Sequence, residues 1–166
     1  MRLLGKNEVI ETLRLKIRAA ESGDLEDSWV WLEKALQPEW GQADLVGQVE
    51  GGKCLVFEDE AQELIGAAVV LGNEPAAGYA AIPFIAITPS RRFSGLGGEG
   101  AIGIERWLRQ HGVGRVFAPV PDGRGLAVYF WLRLGYRALL RLEAPWPLSS
   151  LNDVNPEGIW MVRDAD

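Results

Sequence analysis

Near the start of the chain, hydrophobic and polar residues first alternate with the period of a strand and then recur with the period of a helix. Residues 13–19 place an apolar side chain at every second position, which predicts a half-buried strand. Asp24 is then expected to cap a helix that Pro38 ends, with apolar positions at helical spacing. Residues 1–12 carry no such pattern and are predicted to be an N-terminal extension of the domain.

Three apolar stretches separated by turn residues form the middle of the chain. Residues 53–57 and 63–71 flank a polar run and are predicted to form a hairpin. Residues 78–88 form a longer strand, in which Pro83 removes a backbone donor and predicts a gap or irregularity in the ladder. A short helix is predicted over residues 43–49.

The last third of the chain alternates helices with strands. The predicted elements are a helix over 98–111, a strand over 115–120, a helix over 124–134 that Gly135 ends, and strands over 136–143 and 159–163. The order β-α-α-β-β-β-α-β-α-β-β predicts one α/β domain over residues 1–166, built on a mixed sheet.

Composition and charge narrow the function classes. Of the 166 residues, 48% are hydrophobic and 24% are charged, which excludes a disordered chain. The net charge of −6 argues against a nucleic-acid partner. A lone Cys54 and a lone His111 exclude disulfides within the chain and cysteine- or histidine-rich metal sites, and His111 is expected to be solvated at a helix end. With no apolar run of spanning length and no secretory segment, we expect a cytoplasmic protein that does not bind membranes.

The most informative segment is a basic, glycine-rich loop before a predicted helix, Ile87-Thr-Pro-Ser-Arg-Arg-Phe-Ser-Gly-Leu-Gly97. Glycines let a backbone approach a ligand, and the N–H groups at a helix start favour anions. Arg91 and Arg92 add positive charge. The segment therefore predicts a phosphate or pyrophosphate site, with a basic surface turn as the alternative.

The same loop also contains a dinucleotide-binding pattern. Residues 95–100 read G-x-G-x-x-G, and Asp122 follows at a distance compatible with a ribose ligand. However, six residues separate the strand from Gly95, and several strands precede it. A nicotinamide-dependent oxidoreductase is therefore the less favoured hypothesis.

The helix that follows the loop is also rich in glycine. The glycines at 98, 100 and 103 predict that this helix packs closely against another element, and Glu99 is expected to point away from the anion.

Two motifs resemble the GNAT superfamily of N-acetyltransferases. Ile87 and Pro89 match the end of the family's strand, and Arg92, Gly95 and Gly97 match its loop pattern Arg/Gln-x-x-Gly-x-Gly/Ala. The second signature is matched over residues 124–136, where the fitting residues are Ala127, Phe130, Gly135 and Tyr136. The resemblance spans about residues 13–164 in the family's order.

This resemblance implies a mixed sheet with helices on both faces, whose central strands splay to hold acetyl-CoA. The N–H of Ile87 would stabilise charge on the thioester carbonyl, and a primary amine would attack it directly, without a covalent enzyme intermediate. The implied cofactor-binding residues are Ile87, Arg92, Phe93, Ser94, Gly95, Leu96, Gly97, Gly98, Arg124, Ala127 and Trp131.

The chain departs from the family pattern at two positions. Trp131 stands where many members have the tyrosine that protonates the departing thiolate. Tyr129 is the nearest phenol, but it is two residues away and faces the other side of the helix. Arg124 replaces an asparagine, and it either reaches a CoA phosphate or is solvated. These departures keep a second hypothesis open, a CoA-binding sensor or interaction module with little catalysis.

The acceptor is not identified by the sequence. Trp40 and Trp146 lie in predicted loops that would flank its entrance, and Glu74 lies in a turn beside the central strands. We expect these three residues to contact a small-molecule or peptide amine, with loop anchoring as the alternative for the tryptophans and a solvated turn residue as the alternative for Glu74. No metal is expected, and the oligomeric state is left open, with a homodimer through the closing strands as one option.

Overall fold

The computed structural model of the protein describes residues 3–36, 41–139 and 158–164. Within these ranges, eight strands form one mixed sheet in the order β1-β2-β3-β4-β5-β6-β8-β7, which confirms the predicted α/β class. The elements are β1 (Val9–Glu11), β2 (Lys16–Ala19), α1 (Trp29–Leu36), α2 (Gln42–Glu50), β3 (Cys54–Glu58), β4 (Leu64–Gly72), β5 (Tyr79–Ile87), α3 (Leu96–Gln110), β6 (Arg115–Val120), α4 (Gly125–Arg133), β7 (Arg137–Ala138) and β8 (Ile159–Asp164).

The described chain divides into two compact units, the first comprising the residues up to Val70 together with Phe84–Trp107. In this unit β1, β2, β3 and β4 pair antiparallel in sequence order. Ile10, Ile17, Phe57 and Gly66 are register partners across the four strands and form a row on one face. We call this the four-strand row.

Helix α3 packs on the four-strand row through its glycines. A Cβ on Gly100 would lie 2.6 Å from a ring carbon of Phe57, and one on Gly103 would lie 2.7 Å from Thr12 Cγ2. Such distances leave no room for a side chain, which confirms the predicted close packing at these two positions. The opposite face of β3 is covered as well, since all residues from Cys54 to Phe57 are buried.

The second unit comprises Leu71–Pro83 and the described residues from Leu108 onward. Here the start of β5 pairs parallel with β6, and β6 and β7 pair antiparallel with β8. Ala81, Phe117, Trp160 and Val162 form its buried cluster. Helix α4 ends as predicted, because Gly135 takes a φ of 89° while the N–H of Tyr136 bonds back to Trp131.

The structure corrects three local predictions. Residues 1–12 are not featureless, because β1 lies within them; a strand of three residues carries too little alternation to be seen in the sequence. Helix α3 begins at Leu96, two residues earlier than expected. Asp24 does not cap a helix, since α1 begins only at Trp29.

The structure also describes His111 and the first part of the predicted strand over 136–143. His111 is exposed in the turn that ends α3, as the sequence predicted. The predicted strand over 136–143 is seen only as β7, and its residues from 140 onward lie outside the described ranges. No helix within the described ranges combines the length and apolarity that crossing a membrane requires.

Asp24 instead forms a bidentate ion pair with Arg18. The two oxygens of Asp24 accept from Arg18 Nη1 at 2.8 Å and Nη2 at 2.9 Å, and Arg18 Nε donates to Glu58. The Asp24 carboxylate also accepts from the N–H of Glu21. The hydrogen bonds from Arg18 lower the pKa of Asp24 despite its partial burial.

Acidification is therefore expected to destabilise the fold through Asp24. Because its pKa is lower in the folded chain than the ordinary 3.8, its contribution to stability is complete above the unfolded-state pKa and is lost as the pH falls through the folded-state pKa. Asp24→Asn should reduce the loss of unfolding free energy between pH 6 and about pH 3 in urea titrations. Asp27→Asn, at an exposed position, is the matched control, and equal pH dependence in both variants would contradict the assignment.

Candidate active site

The glycine-rich loop begins where β5 ends, in the first unit. Pro89–Arg91 form a single 3₁₀ turn, after which Phe93 and Gly95 take φ values of 63° and 82° and turn the chain into α3. A positive φ is unusual for an aromatic residue, and the side chain of Phe93 is fully exposed. Leu96 anchors the end of the loop, because its side chain is buried.

The first turn of α3 presents unbonded backbone donors. The first helical hydrogen bond runs from Glu99 N–H to Gly95 C=O at 3.0 Å. The N–H groups of Leu96, Gly97 and Gly98 precede it, and they have no acceptor within the helix. Donors in this arrangement suit an anion, and the helix dipole adds to their effect.

The two loop arginines are held in different ways. Arg91 Nη1 donates to Asp59 Oδ2 at 2.7 Å, so its charge is compensated by a carboxylate. This ion pair, together with hydrogen bonds from the N–H groups of Glu63 and Ala61, lowers the pKa of Asp59. Arg92 Nε donates to the carbonyl of Ile87 at 2.9 Å. In the described chain Arg92 has no carboxylate partner, so it is the loop cation available to an anion.

Ile87 is fixed from three directions. Its side chain fills the space beside Gly66, where a Cβ would lie 2.7 Å from Ile87 Cδ1 and 2.8 Å from the carbonyl oxygen of Ala86. Its carbonyl accepts from Arg92. The next residue, Thr88, donates its N–H to Ile65 of β4 at 2.8 Å. Because successive backbone groups of a strand point in opposite directions, the N–H of Ile87 is directed away from β4.

The parallel ladder of β5 with β6 is short. Within the described residues, it joins Tyr79–Ala81 to Arg115–Phe117 and stops before Pro83. Proline has no N–H to donate, which accounts for a break at this position.

Glu99 is turned toward the β1–β2 turn. Its Oε1 accepts from Thr12 Oγ1 at 2.7 Å and from the N–H of Arg14 at 2.6 Å, and its Oε2 accepts from Arg14 Nε at 2.8 Å. Burial favours the protonated form of this carboxyl, but the hydrogen bonds from Thr12 and Arg14 outweigh it and lower the pKa of Glu99. The Glu99 carboxylate is thus charged, and its hydrogen bonds direct it toward Thr12 and Arg14.

The residues of the second family signature belong to the second unit. Trp131 is buried, with its ring centroid 4.8 Å from that of Tyr136. Tyr129 is exposed and lies under the guanidinium of Arg133, which confirms that these two aromatic side chains face different sides of α4. Arg124 is half-buried at the residue before α4, and Ala127 lies in its first turn.

The predicted acceptor residues are only partly described. Glu74 is half-buried in the turn before β5 and precedes a cis proline. Trp40 and Trp146 lie outside the described residues. In the β3–β4 region, the carboxylates of Glu58 and Asp59 are engaged in ion pairs with Arg18 and Arg91. Among the described residues, no three His, Cys, Asp or Glu side chains cluster as a metal site would need.

Sequence reasoning missed the two ion pairs that flank the loop. Arg14 contacts both Glu99 and the carbonyl of Ser94, although 80 residues separate it from Ser94 in the chain. Asp59 reaches Arg91 from the β3–β4 turn. Neither pair leaves a signal in the sequence, because both depend on sheet register. The dinucleotide-binding hypothesis is not supported, since β1 to β4 are antiparallel and Gly100 is used to pack against Phe57.

Solved structures share this fold at low sequence identity. N-acetylglutamate synthase from Neisseria gonorrhoeae, complexed with coenzyme A and N-acetyl-glutamate, superposes with a TM-score of 0.72 at 20% identity, over 94% of this chain and 36% of that one. This chain therefore spans about a third of that protein's length. A GNAT-family acetyltransferase from Staphylococcus aureus gives a TM-score of 0.70 at 12% identity, covering 92% of this chain and 99% of that one.

A third similar structure is a putative ribosomal-protein-serine acetyltransferase from Vibrio cholerae, with a TM-score of 0.68 at 13% identity over 96% of this chain and 98% of that one. None of the curated proteins compared with the chain matches it. The sequence profile of the Acetyltransferase (GNAT) family, however, matches residues 14–136, which is well over half of the chain. The match includes β5, the glycine-rich loop and α4, and the chain therefore belongs to the GNAT family of acetyltransferases.

Proposed function

We propose that this protein transfers the acetyl group of acetyl-CoA to a primary amine by direct attack on the thioester. The observation that carries the proposal is the start of α3, where the N–H groups of Leu96, Gly97 and Gly98 lack helical acceptors next to Arg92. A donor set of this kind fits a pyrophosphate. Family membership supports the choice of acetyl-CoA as the ligand that carries it.

In this proposal the loop binds the co-substrate mainly through its backbone. The amides of residues 92–98 hold the pyrophosphate, and the guanidinium of Arg92 compensates part of its charge. Arg92 Nε also donates a hydrogen bond to the carbonyl of Ile87, and this bond connects the proposed anion-binding loop to the end of β5. Arg124, Ala127 and Trp131 are kept as proposed cofactor contacts because the resemblance of residues 124–136 to the second family signature implies them.

Ile87 is the proposed electrostatic catalyst. Its N–H points away from β4 and would donate to the thioester oxygen as negative charge develops there. The unprotonated amine nitrogen forms the new C–N bond, the C–S bond breaks and the CoA thiolate leaves, while the proton that the nitrogen loses passes to solvent or to the thiolate. Positioning of the two substrates supplies much of the rate, so no nucleophilic side chain is required.

Departure of the CoA thiolate does not require a general acid. Trp131 is buried where many family members carry a tyrosine, and an indole N–H does not protonate a thiolate. A thiol has a pKa of about 8.5, so the thiolate is a tolerable leaving group near neutral pH. General acid catalysis is worth about 10²–10⁴-fold, so we propose a slow enzyme.

Tyr129→Phe is expected to leave kcat within a few-fold of the wild-type value, because Tyr129 is exposed and contacts Arg133. The rate should rise with pH as the acceptor amine loses its proton, without a falling alkaline limb from an essential phenol. Initial rates of both proteins between pH 6 and 10 test this. A loss of about 10²-fold in the variant would identify Tyr129 as the acid.

The acceptor is proposed to be a small or peptide amine, cationic or apolar. The net charge of −6 disfavours acidic acceptors. Glu74, with Trp40 and Trp146, is the proposed contact set. A panel of polyamines, aromatic amines, amino acids and N-terminal peptides, scored by release of free CoA thiol, tests both the reaction and the acceptor class.

A CoA-binding module without catalysis is the second candidate, and the buried Trp131 favours it. Measuring CoA binding and thiol release on the same protein distinguishes the two functions. Thiol release with any amine of the panel supports the transferase. Saturable CoA binding with no thiol release above the rate without enzyme supports the module, and stabilisation by NADH but not by CoA contradicts both.

A further inference from the structure

We propose that Arg14, in the turn between β1 and β2, is a further binding residue for the phosphates of acetyl-CoA. This inference rests on the proposed function and extends its site to a residue outside the glycine-rich loop. Arg14 is 80 residues from Ser94 in sequence, yet its guanidinium lies against the end of the loop. The β1–β2 turn thereby contributes a cation to the place where the anion-binding helix begins.

Two hydrogen bonds fix the guanidinium in this position. Arg14 Nε donates to Glu99 Oε2 at 2.8 Å, and Nη1 donates to the carbonyl oxygen of Ser94 at 3.0 Å. Nη2 lies 3.5 Å from the point where a Cβ on Gly95 would stand. Gly95 immediately precedes the first turn of α3, so the group is adjacent to the unbonded amides of that turn.

Arg14 keeps donors available after making these contacts. A guanidinium carries five N–H groups in a planar fork, and only two of them are used here among the described residues. The side chain is 43% exposed, so the remaining donors are accessible from solvent. Phosphate oxygens are matched acceptors for such a fork, and a charge-assisted bond to them is stronger than a neutral one.

Glu99 explains why the guanidinium is held at this place. An acidic residue in the first turn of an anion-binding helix would repel a phosphate. Here the carboxylate is turned onto Thr12 and Arg14, so its charge is compensated. The same contact orients Arg14 along the loop.

The charge balance of the loop supports a role for this residue. Arg91 is compensated by Asp59, and Arg92 alone remains among the loop's own cations. The phosphates of CoA carry several negative charges, so a second cation would strengthen binding, and it would do so in a salt-dependent way. Arg14 is the described cation that contacts the loop from outside it.

The test compares Arg14→Gln with Arg106→Gln, which removes an exposed arginine from the same helix region. We expect Arg14→Gln to weaken CoA binding by about tenfold or more, the range of a lost charge-assisted hydrogen bond, and to reduce its salt dependence. Arg106→Gln should bind CoA within twofold of wild type. The amine KM should be unchanged in Arg14→Gln, and Arg14→Lys should recover part of the affinity because it restores the charge.

The phosphate involved is identified with dephospho-CoA in the same titrations. An equal penalty for CoA and dephospho-CoA assigns Arg14 to the pyrophosphate, and a penalty confined to CoA assigns it to the 3′-phosphate. The inference is overturned if Arg14→Gln binds CoA within twofold of wild type, whether or not its Tm falls, since Arg14 then only supports the fold. Failure of the wild-type protein to bind CoA would instead remove the proposed function itself.

Discussion

Gly100→Ala is expected to destabilise the fold by about 1–3 kcal/mol, although alanine is the better helix former. A Cβ at this position would lie 2.6 Å and 2.9 Å from two ring carbons of Phe57. Phe57 is fully buried in the four-strand row, so the ring cannot move away without disturbing its neighbours. Urea unfolding of the variant at neutral pH measures the loss.

Gly47→Ala is the matched control, because Gly47 is also a helical glycine but has nothing within 4 Å of a built Cβ. That variant should gain about 0.5–1 kcal/mol from helix propensity. The clash is tested further by Phe57→Leu, which should cost less in the Gly100→Ala background than in the wild type. Equal stabilisation of both alanine variants would contradict the packing of α3 on Phe57.

Gly97→Asp is expected to abolish most of the stabilisation by acetyl-CoA. A ligand that binds only the folded chain, at a hundredfold excess over its Kd, adds about 2.7 kcal/mol, or about 5–10 °C in Tm for a chain of this size. Gly97 lies in the first turn of α3, where a carboxylate would compete with a phosphate for the backbone amides. Thermal unfolding with and without acetyl-CoA gives the two shifts.

Gly97→Ala is the control that distinguishes the effect of the added charge from the effect of the added side-chain volume, because it adds a methyl group and no charge. We expect the alanine variant to retain more of the Tm shift than the aspartate variant. Both should unfold cooperatively without ligand, because Gly97 is partly exposed. A full acetyl-CoA shift in Gly97→Asp would place the phosphates elsewhere.

The position of Ile87 links these two experiments. Gly66 of the four-strand row leaves space for the Ile87 side chain and for the Phe57 ring, and Arg92 holds the Ile87 carbonyl. Packing on the α3 face and the hydrogen bond from the loop therefore both contribute to the position of Ile87. A substitution that disturbs the row is expected to lower kcat as well as stability.

The sequence by itself determined the order of the elements from β2 onward, the glycine-rich loop before α3 and the end of α4 at Gly135. These features are local: alternation or helical spacing sets the element, and a positive φ selects glycine. The family signatures are local as well, which is why residues 87–97 and 124–136 could be identified before any contact was known. The absence of the usual tyrosine at Trp131 was visible for the same reason.

Only the tertiary structure decided which side chains meet at the loop. Arg14 and Asp59 lie on turns far from the loop in sequence, and their partners Glu99 and Arg91 are set by the register of β1 to β4 and by the packing of α3. Asp24 shows the same limit. The sequence around it favoured a helix cap, but its carboxylate forms an ion pair with Arg18 of β2. Ion pairs depend on distances through space, which one-dimensional periodicity does not contain, so these contacts could not have been read from the chain alone.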